Sequence, residues 1–185
     1  MFKNKKNNDK INSGDSMETI IYNKDSIEEQ DVRYRSIRLK ALIINSKNEL
    51  LVGYSHNTYQ FIGGHLEEGE DLIDGLIREV EEESGIKVEK EEIKPFFLRK
   101  KYYRDYPEEN SNSCYEYHYY VINTDKQPDL SKVNYTEAEK VGKFELRYIP
   151  LSQVEQEFED NKKVSERTKI VEEENLEAIK IYKKM

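Results

Sequence analysis

The segment from Asp71 to Gly85 constrains the fold of this chain more than any other part of the sequence. Its apolar residues recur at the spacing of one helical face, at Leu72, Ile73, Leu76, Ile77 and Val80. Ser84 and Gly85 then provide a helix stop signal. We therefore predict an amphipathic helix from Asp71 to Ser84 that packs its apolar stripe against a core.

Alternating and aromatic-rich segments on both sides of this helix predict β-strands. The predicted strands cover residues 33–45, 49–55, 58–63, 94–106, 113–123 and 143–151, and the fourth and fifth form a long hairpin. Two further helices are predicted over residues 152–160 and 165–182. Helices that pack on strands in this proportion indicate an α/β (α+β) domain, with a three-layer α/β/α arrangement as one form of it.

Three glutamates of the predicted helix, Glu79, Glu82 and Glu83, fall within roughly 100° of one another on a single face. Like charges at these spacings destabilise a helix by a few tenths of a kcal/mol each, and in the last turns the helix dipole also opposes carboxylates. A hard cation such as Mg²⁺ or Mn²⁺ would reverse that cost, because it takes oxygen ligands. Glu81 points towards solvent and is assigned no role.

The residues that flank these glutamates argue against the usual meaning of a charge run, which is a solvated helix face. Gly63 and Gly64 end a strand where the backbone can approach a ligand and offer a carbonyl to a metal ion. Arg78 can fork onto a carboxylate, so a pairing with Glu70 is expected. Gly75 costs the helix about 1 kcal/mol relative to alanine, and we expect it to keep the glutamate face open.

From Gly64 to Ile86 the sequence resembles the Nudix box, which is a glycine, five residues, a glutamate, seven residues, and then Arg-Glu-aliphatic-any-Glu-Glu-any-Gly-aliphatic. All nine constrained positions match. The resemblance implies a Nudix-like α/β/α sandwich with a mixed β-sheet. It also implies that Glu79, Glu82, Glu83 and the Gly64 carbonyl are metal ligands. One glutamate would act as the general base, with Glu79 as the first candidate, and Arg78 and Glu70 would stabilise the catalytic loop and helix.

The activity that the resemblance implies is Mg²⁺-dependent hydrolysis of an acid anhydride, with Mn²⁺ as a second cofactor candidate. The substrate would be a nucleoside diphosphate linked to another moiety. The alternative is a nucleotide-sensing or binding module that retains the fold and has little turnover. Isomerase chemistry on isoprenoid diphosphates would need an added acid or thiol near the metal, and the sequence places none. Nudix enzymes are often dimers, so a homodimer is also expected.

The sequence also offers candidate substrate-binding residues outside the box. Glu137 or Glu139, ahead of the last strand, or Glu116 on an aromatic strand, could add a carboxylate to the site. Tyr103 lies 17 residues beyond Ile86, a placement that resembles a tyrosine of dinucleoside polyphosphate hydrolases. Aromatic residues that alternate along a strand are equally typical of a core.

Composition and charge bound the class of protein. Hydrophobic residues make up 36% and charged residues 37%, which indicates a compact core with much solvated surface. The net charge of -8 argues against binding to a nucleic-acid backbone, which needs clustered Lys and Arg. No apolar stretch reaches the 18 or so residues of a membrane span, and Cys114 is the single cysteine. We therefore expect a soluble, cytoplasmic protein.

Residues 1–16 consist almost wholly of Lys, Asn, Asp and Ser. Such a composition cannot bury enough apolar surface to offset the entropy of ordering, which predicts a disordered tail. Residues 17–185 are then predicted to form a single Nudix-like hydrolase domain that includes the C-terminal helix.

Overall fold

The computed structural model describes residues 17–185 apart from the side chain of Ala138, and the predicted tail, residues 1–16, lies outside the described residues. The strands are β1 (Glu18–Tyr22), β2 (Val32–Ile44), β3 (Glu49–Ser55), β4 (Thr58–Phe61), β5 (Ile93–Tyr103), β6 (Asn112–Asn123) and β7 (Glu145–Pro150). The α-helices are α1 (Leu72–Ser84), α2 (Glu137–Val141), α3 (Val154–Asn161) and α4 (Glu166–Tyr182). Short 3-10 helices lie at Glu29–Asp31 and Lys90–Glu92.

All seven strands form one mixed sheet, in the order β1-β5-β6-β2-β3-β4, with β7 also paired to β3. β2 and β6 run parallel at its centre, and β5 and β6 form the predicted antiparallel hairpin. Beyond β4 the chain continues along the edge of β2, where Ile62 bridges Ala41 and His65 bridges Arg38. This extension holds the glycine pair against the central strand.

Helices cover both faces of the sheet, so the predicted three-layer α/β/α sandwich with a mixed sheet is confirmed. Alternate residues of β2 point to opposite faces, as expected for a strand. On one face, Leu76 and Val80 of α1 share a core with Leu39, Ala41 and Ile43 of β2. On the other face, Phe158 of α3 and Leu176 and Ile179 of α4 share a core with Leu42 and Ile44 of β2.

Helix α1 begins and ends where the local sequence predicts. The Asp71 side chain caps its first turn by accepting a hydrogen bond from the Ile73 N–H at 2.9 Å. Gly85 ends it with φ +69°, and a Cβ there would lie 2.2 Å from the Asp129 carbonyl oxygen. Only glycine suits that position, because both the backbone conformation and the close approach exclude a side chain.

Helix α4 is held to the sheet by buried polar groups as well as by its apolar stripe. The Glu172 carboxylate accepts hydrogen bonds from the Tyr59 N–H at 2.9 Å, Asn161 Nδ2 at 2.7 Å and Asn175 Nδ2 at 2.9 Å. These contacts fix the position of α4 relative to β4 and α3. They also explain why a helix with so many charges can pack against the core.

Four elements lie outside the predicted set: the edge strand β1, the short helix α2 and the two 3-10 helices. β1 pairs in parallel with β5 and so depends on contacts distant in sequence. No helix within residues 17–185 has the length and apolar composition of a membrane span. The assignment of these residues to one domain stays a prediction.

Candidate active site

The glycine pair after β4 joins the central strand to helix α1. The Leu39 N–H donates to the Gly64 carbonyl at 2.9 Å. From the helix, the buried Glu83 carboxylate accepts the Gly63 N–H at 2.8 Å. Gly63 has φ +128°, and a Cβ there would lie 2.3 Å from the Leu39 carbonyl oxygen, so a side chain is excluded.

Arg78 is the centre of an ion-pair network on the exposed side of this loop. Its Nε and Nη2 donate to the two carboxylate oxygens of Glu70 at 2.9 and 3.0 Å. Its Nη1 donates to Glu79 at 2.9 Å and to Glu82 at 3.1 Å, and Nη2 also donates to the His65 carbonyl at 3.1 Å. The hydrogen bonds from Arg78 lower the pKa of the Glu70 carboxyl. The arginine therefore ties the loop to two of the three helix glutamates.

Two glycines make room for carboxylates of this network. A Cβ on Gly75 would lie 2.7 Å from Glu70 Oε2, and a Cβ on Gly64 would lie 2.4 Å from Glu79 Oε2. The expectation that Gly75 keeps the helix face open is therefore wrong. The Glu70 carboxylate occupies the space that a side chain at Gly75 would need, and from there it accepts hydrogen bonds from Arg78.

Burial and mutual repulsion perturb the helix carboxylates. Burial raises the pKa of Glu79, and the charge of Glu82 adds to the rise. Burial also raises the pKa of Glu83 to about 8, with smaller contributions from the charges of Glu139 and Glu79. Such crowding of carboxyl groups favours protonation or a bound cation, since either relieves the repulsion.

Lys40 is a member of this site that the sequence analysis missed. Its Nζ donates to the Gly63 carbonyl at 3.0 Å and to the Phe61 carbonyl at 3.3 Å. Burial lowers the pKa of the Lys40 ammonium, while the charge of Glu83 opposes that shift. The sequence feature that could have pointed to Lys40 is its position within the apolar run from Leu39 to Ile44. A buried central strand rarely carries a charge without a partner, so this lysine needed one.

The donor set of the site suits a hard divalent cation. Glu79, Glu82 and Glu83 offer only carboxylate oxygens, the ligands that Mg²⁺ and Mn²⁺ prefer. Within residues 17–185, no three His, Cys, Asp or Glu side chains surround one common point. Arg78 bonds both Glu79 and Glu82, and the Gly63 N–H bonds Glu83.

The candidates Glu137 and Glu139 differ in their surroundings. Glu139 accepts hydrogen bonds from the Thr136 N–H at 2.6 Å and hydroxyl at 2.9 Å, and its charge raises the pKa of Glu83. Glu137 is exposed and pairs with Lys140 at 2.8 Å. The structure therefore brings Glu139, and not Glu137, towards the helix carboxylates.

Glu116 belongs to a separate cluster on the sheet. Its carboxylate pairs with Arg35, lies 3.1 Å from Lys100 Nζ, and lies 3.2 Å from His118 Nε2. These contacts, led by the His118 hydrogen bond, lower the pKa of Glu116 to about 2. None of the three partners belongs to the box, and among the described residues no hydrogen bond or ion pair joins Glu116 to the helix carboxylates.

The Glu116 cluster should stabilise the fold in a pH-dependent way. A carboxyl whose folded pKa is depressed stabilises the protein above its unfolded pKa of about 4.5, and that contribution is lost as the pH falls towards about 2. We expect Glu116→Gln to lower the free energy of unfolding by about 2–3 kcal/mol at pH 7, and by less than half of that at pH 3. Urea denaturation at both pH values measures this. Glu137→Gln, at an exposed position, is the control, and an equal effect of Glu116→Gln at both pH values would contradict the assignment.

Two concave surfaces lie beside the site. A cleft of about 210 Å³ between the sheet and α4 is lined by Arg38, Lys40, Tyr117, Arg167 and Glu174, among others. A groove of about 400 Å³ is lined by Leu130, Val133, Tyr135, Phe144, Glu145 and Leu146. Burial raises the pKa of Tyr135, and the charges of Glu83 and Glu139 raise it further. This groove therefore adjoins the carboxylates. Tyr103 lines neither surface.

Comparison with known proteins gave one family and several similar structures. The family model of the NUDIX domain matches residues 36–169. No curated protein sequence matched the chain. The MutT protein from Bacillus halodurans is similar in structure, with a TM-score of 0.49 and 15% identity over 65% of this chain and 72% of that chain. A second MutT structure, from work on Aliivibrio salmonicida and Vibrio cholerae, has a TM-score of 0.44 and 21% identity. The match covers 64% of this chain and 81% of that chain. An Ap4A hydrolase binary complex from C. elegans has a TM-score of 0.47 and 13% identity. The match covers 81% of this chain and 95% of that chain.

Proposed function

Because this chain belongs to the NUDIX domain family, we propose that it hydrolyses the diphosphate bond of a nucleoside diphosphate linked to another moiety. The observation that supports the proposal most strongly is the carboxylate network at the glycine loop. Arg78 holds Glu70, Glu79 and Glu82 together, and Glu83 is bonded to the Gly63 N–H. Buried carboxylates are costly, and a cluster of them with perturbed pKa values beside a glycine loop favours a ligand-binding or reaction site.

Mg²⁺ is the cofactor that we propose, with Mn²⁺ as a substitute. Glu79, Glu82, Glu83 and the Gly64 carbonyl would hold it, because all of them offer oxygen ligands. When bound, a divalent cation neutralises diphosphate charge and polarises the phosphorus that is attacked.

The protein's own residues would supply a base and its orientation. Glu79 takes a proton from the attacking water, and burial suits it to this role because it raises the pKa of the carboxyl. Water forms the new P–O bond, the bond to the bridging oxygen breaks, and no covalent enzyme intermediate forms. Arg78 and Glu70 are positioning residues, which hold Glu79 against Gly64.

The cleft beside the site would hold the rest of a small nucleotide-type substrate. Arg38, Lys40 and Arg167 supply positive charge for phosphate groups, and Tyr117 supplies a ring. Glu139 is the residue outside the box that we propose as an added carboxylate. The cytoplasmic location, the homodimer and the absence of nucleic-acid binding stay predictions.

A substrate panel with product identification tests the proposal. Purified protein is incubated with nucleoside triphosphates, nucleotide sugars and dinucleoside polyphosphates, each with Mg²⁺, with Mn²⁺ or with a chelator. We expect metal-dependent cleavage of at least one compound at its diphosphate bond. The binding-module alternative would hold if no compound turned over while one of them raised the melting temperature.

A further inference from the structure

Strand β7 lies at an outer edge of the sheet. It pairs antiparallel with β3 from Glu145 to Pro150, and no other strand of residues 17–185 pairs with it. An open edge offers unpaired N–H and C=O groups to another strand, and proteins commonly protect such edges with lysine, proline or a bulge. β7 has no lysine, its proline is the last residue, and its pairing with β3 has no bulge. The edge is therefore able to accept a further strand.

The hydrogen-bond pattern identifies the backbone groups that this edge presents. The Leu151 N–H donates to the Asn48 carbonyl at 2.8 Å, one pair beyond the strand register. Hydrogen-bonded and non-hydrogen-bonded pairs alternate along an antiparallel ladder, so the odd-numbered residues of β7 bond to β3. Leu146 and Tyr148 therefore turn their N–H and C=O groups outwards. Among the described residues, no loop or turn forms a backbone hydrogen bond with these two.

One face of this edge carries two opposite charges. Glu145 and Arg147 are two residues apart, so their side chains share a face. They form an ion pair at 3.0 Å, with side chains 61% and 39% exposed. The Arg147 guanidinium also lies 3.6 Å from the centre of the Tyr54 ring, which holds it in place on the edge. Exposed ion pairs within one chain contribute little to stability, so both side chains remain available to charges of a partner.

The other face of the edge is apolar. Leu146 and Tyr148 are partly buried there against the core that α1 shares. Leu146 also lines the groove of about 400 Å³, together with apolar side chains that include Leu130 and Val133. Leu130 is 64% exposed. An exposed apolar groove beside an open strand suits an added strand whose side chains fill it.

A second copy of β7 would match these features if the two strands met antiparallel about a two-fold axis at Leu146. The N–H and C=O groups of Leu146 would then bond to those of the partner's Leu146, and the Tyr148 N–H would bond to the partner's Phe144 carbonyl. Glu145 would lie opposite the partner's Arg147, and this pairing occurs twice by symmetry. An axis at Arg147 would instead place two arginines opposite each other, which is destabilising.

The charges and the strand order favour a second copy over other occupants. The acid and the base of β7 are already spaced to complement themselves about a two-fold axis, whereas a foreign peptide would need both at matching positions. The N-terminal segment, residues 1–16, leads into β1, which lies at the opposite end of the strand order from β3 and β7. The same patch of surface therefore serves as both donor and acceptor of the contact.

We propose that this chain forms a homodimer in which the β7 strands of two copies join their sheets into one, with the two-fold axis at Leu146. The Glu145 and Arg147 pairs set the register, and the apolar side chains beside Leu146 fill the two grooves. The proposal is independent of the proposed function, because β7 carries no residue of the box.

Charge reversal on β7 tests both the interface and its register by sedimentation equilibrium. Glu145→Arg leaves each copy with two bases on the edge, and Arg147→Glu leaves each copy with two acids. We expect either variant alone to dimerise at least about tenfold more weakly than the wild type, because like charges meet across the axis. An equal mixture of the two variants should regain the wild-type affinity, because every acid again faces a base. An ion pair within one chain cannot produce this recovery on mixing.

Amide hydrogen exchange supplies a second readout, and Glu109→Arg, at an exposed position of the β5–β6 hairpin, is the control. The control should dimerise within about twofold of the wild type. The Leu146 and Tyr148 N–H groups should exchange more slowly as the protein concentration rises. Protection that does not depend on concentration would assign the edge to a segment of the same chain and overturn the proposal. A wild type that stays monomeric up to about 1 mM, a dimer that neither β7 variant weakens, or no recovery on mixing would also overturn it.

Discussion

Replacing Glu83 or Glu79 by glutamine is expected to lower kcat by about 10²–10⁴-fold while the fold is retained. Loss of a general base or of a charged metal ligand has effects of this size. Glutamine at position 83 keeps an oxygen that can accept the Gly63 N–H. Burial already disfavours the charged form of Glu83, since it raises the pKa to about 8, so the melting temperature should change little.

Glu81→Gln is the matched control for these variants. Glu81 lies on the same helix, but it pairs with Lys87 at 3.4 Å on the solvent side and contacts none of the box carboxylates. The kcat of the Glu81→Gln variant should remain within about twofold of the wild type, since exposed ion pairs contribute little to stability. Turnover close to the wild type in both Glu79→Gln and Glu83→Gln would remove the carboxylates from the mechanism.

Arg99→Met is expected to destabilise the fold by ~3 kcal/mol. Arg99 is fully buried between β5 and α4. It donates to the Tyr119 hydroxyl at 2.8 Å, the Glu174 carbonyl at 2.7 Å and the Glu177 carboxylate at 2.8 Å. Methionine fills similar space but removes the guanidinium donor from these acceptors, and a buried group left unpaired costs about 1–3 kcal/mol.

Urea denaturation measures this effect directly. Arg33→Met, at an exposed position of β2, is the control and should change the free energy of unfolding by less than about 0.5 kcal/mol. The Arg99 change corresponds to a drop in melting temperature of roughly 6–12 °C for a chain of this size. Equal stability of the two variants would show that Arg99 is not needed to hold α4 on the sheet.

Local sequence signals were sufficient to predict helix α1. The periodic stripe and the Gly85 stop act within one or two turns, so they can be read without tertiary information. The expected Arg78 and Glu70 partners lie in contact for the same reason, since eight residues of loop and helix bring them together. The roles of these residues in catalysis stay proposals.

Features that depend on distant strands could not be read from the sequence. β1 pairs with β5 some 80 residues later in the chain, and no local pattern specifies that register. The same limit applies to Glu116 and Glu139, whose neighbours are set by the sheet and by the loop after β6. Lys40 joins the site only because the chain after β4 returns along the edge of β2.

Hydrolysis of the diphosphate panel by the wild type in ¹⁸O-enriched water, with Mg²⁺ or with a chelator, tests the central claim most directly. We predict that one compound is cleaved only when Mg²⁺ is present, and that one ¹⁸O atom enters one of its two phosphate-bearing products, because water is the nucleophile. Cleavage that is unaffected by the chelator, product without the label, or no cleavage of any compound would contradict the assignment of this chain as a metal-dependent diphosphate hydrolase.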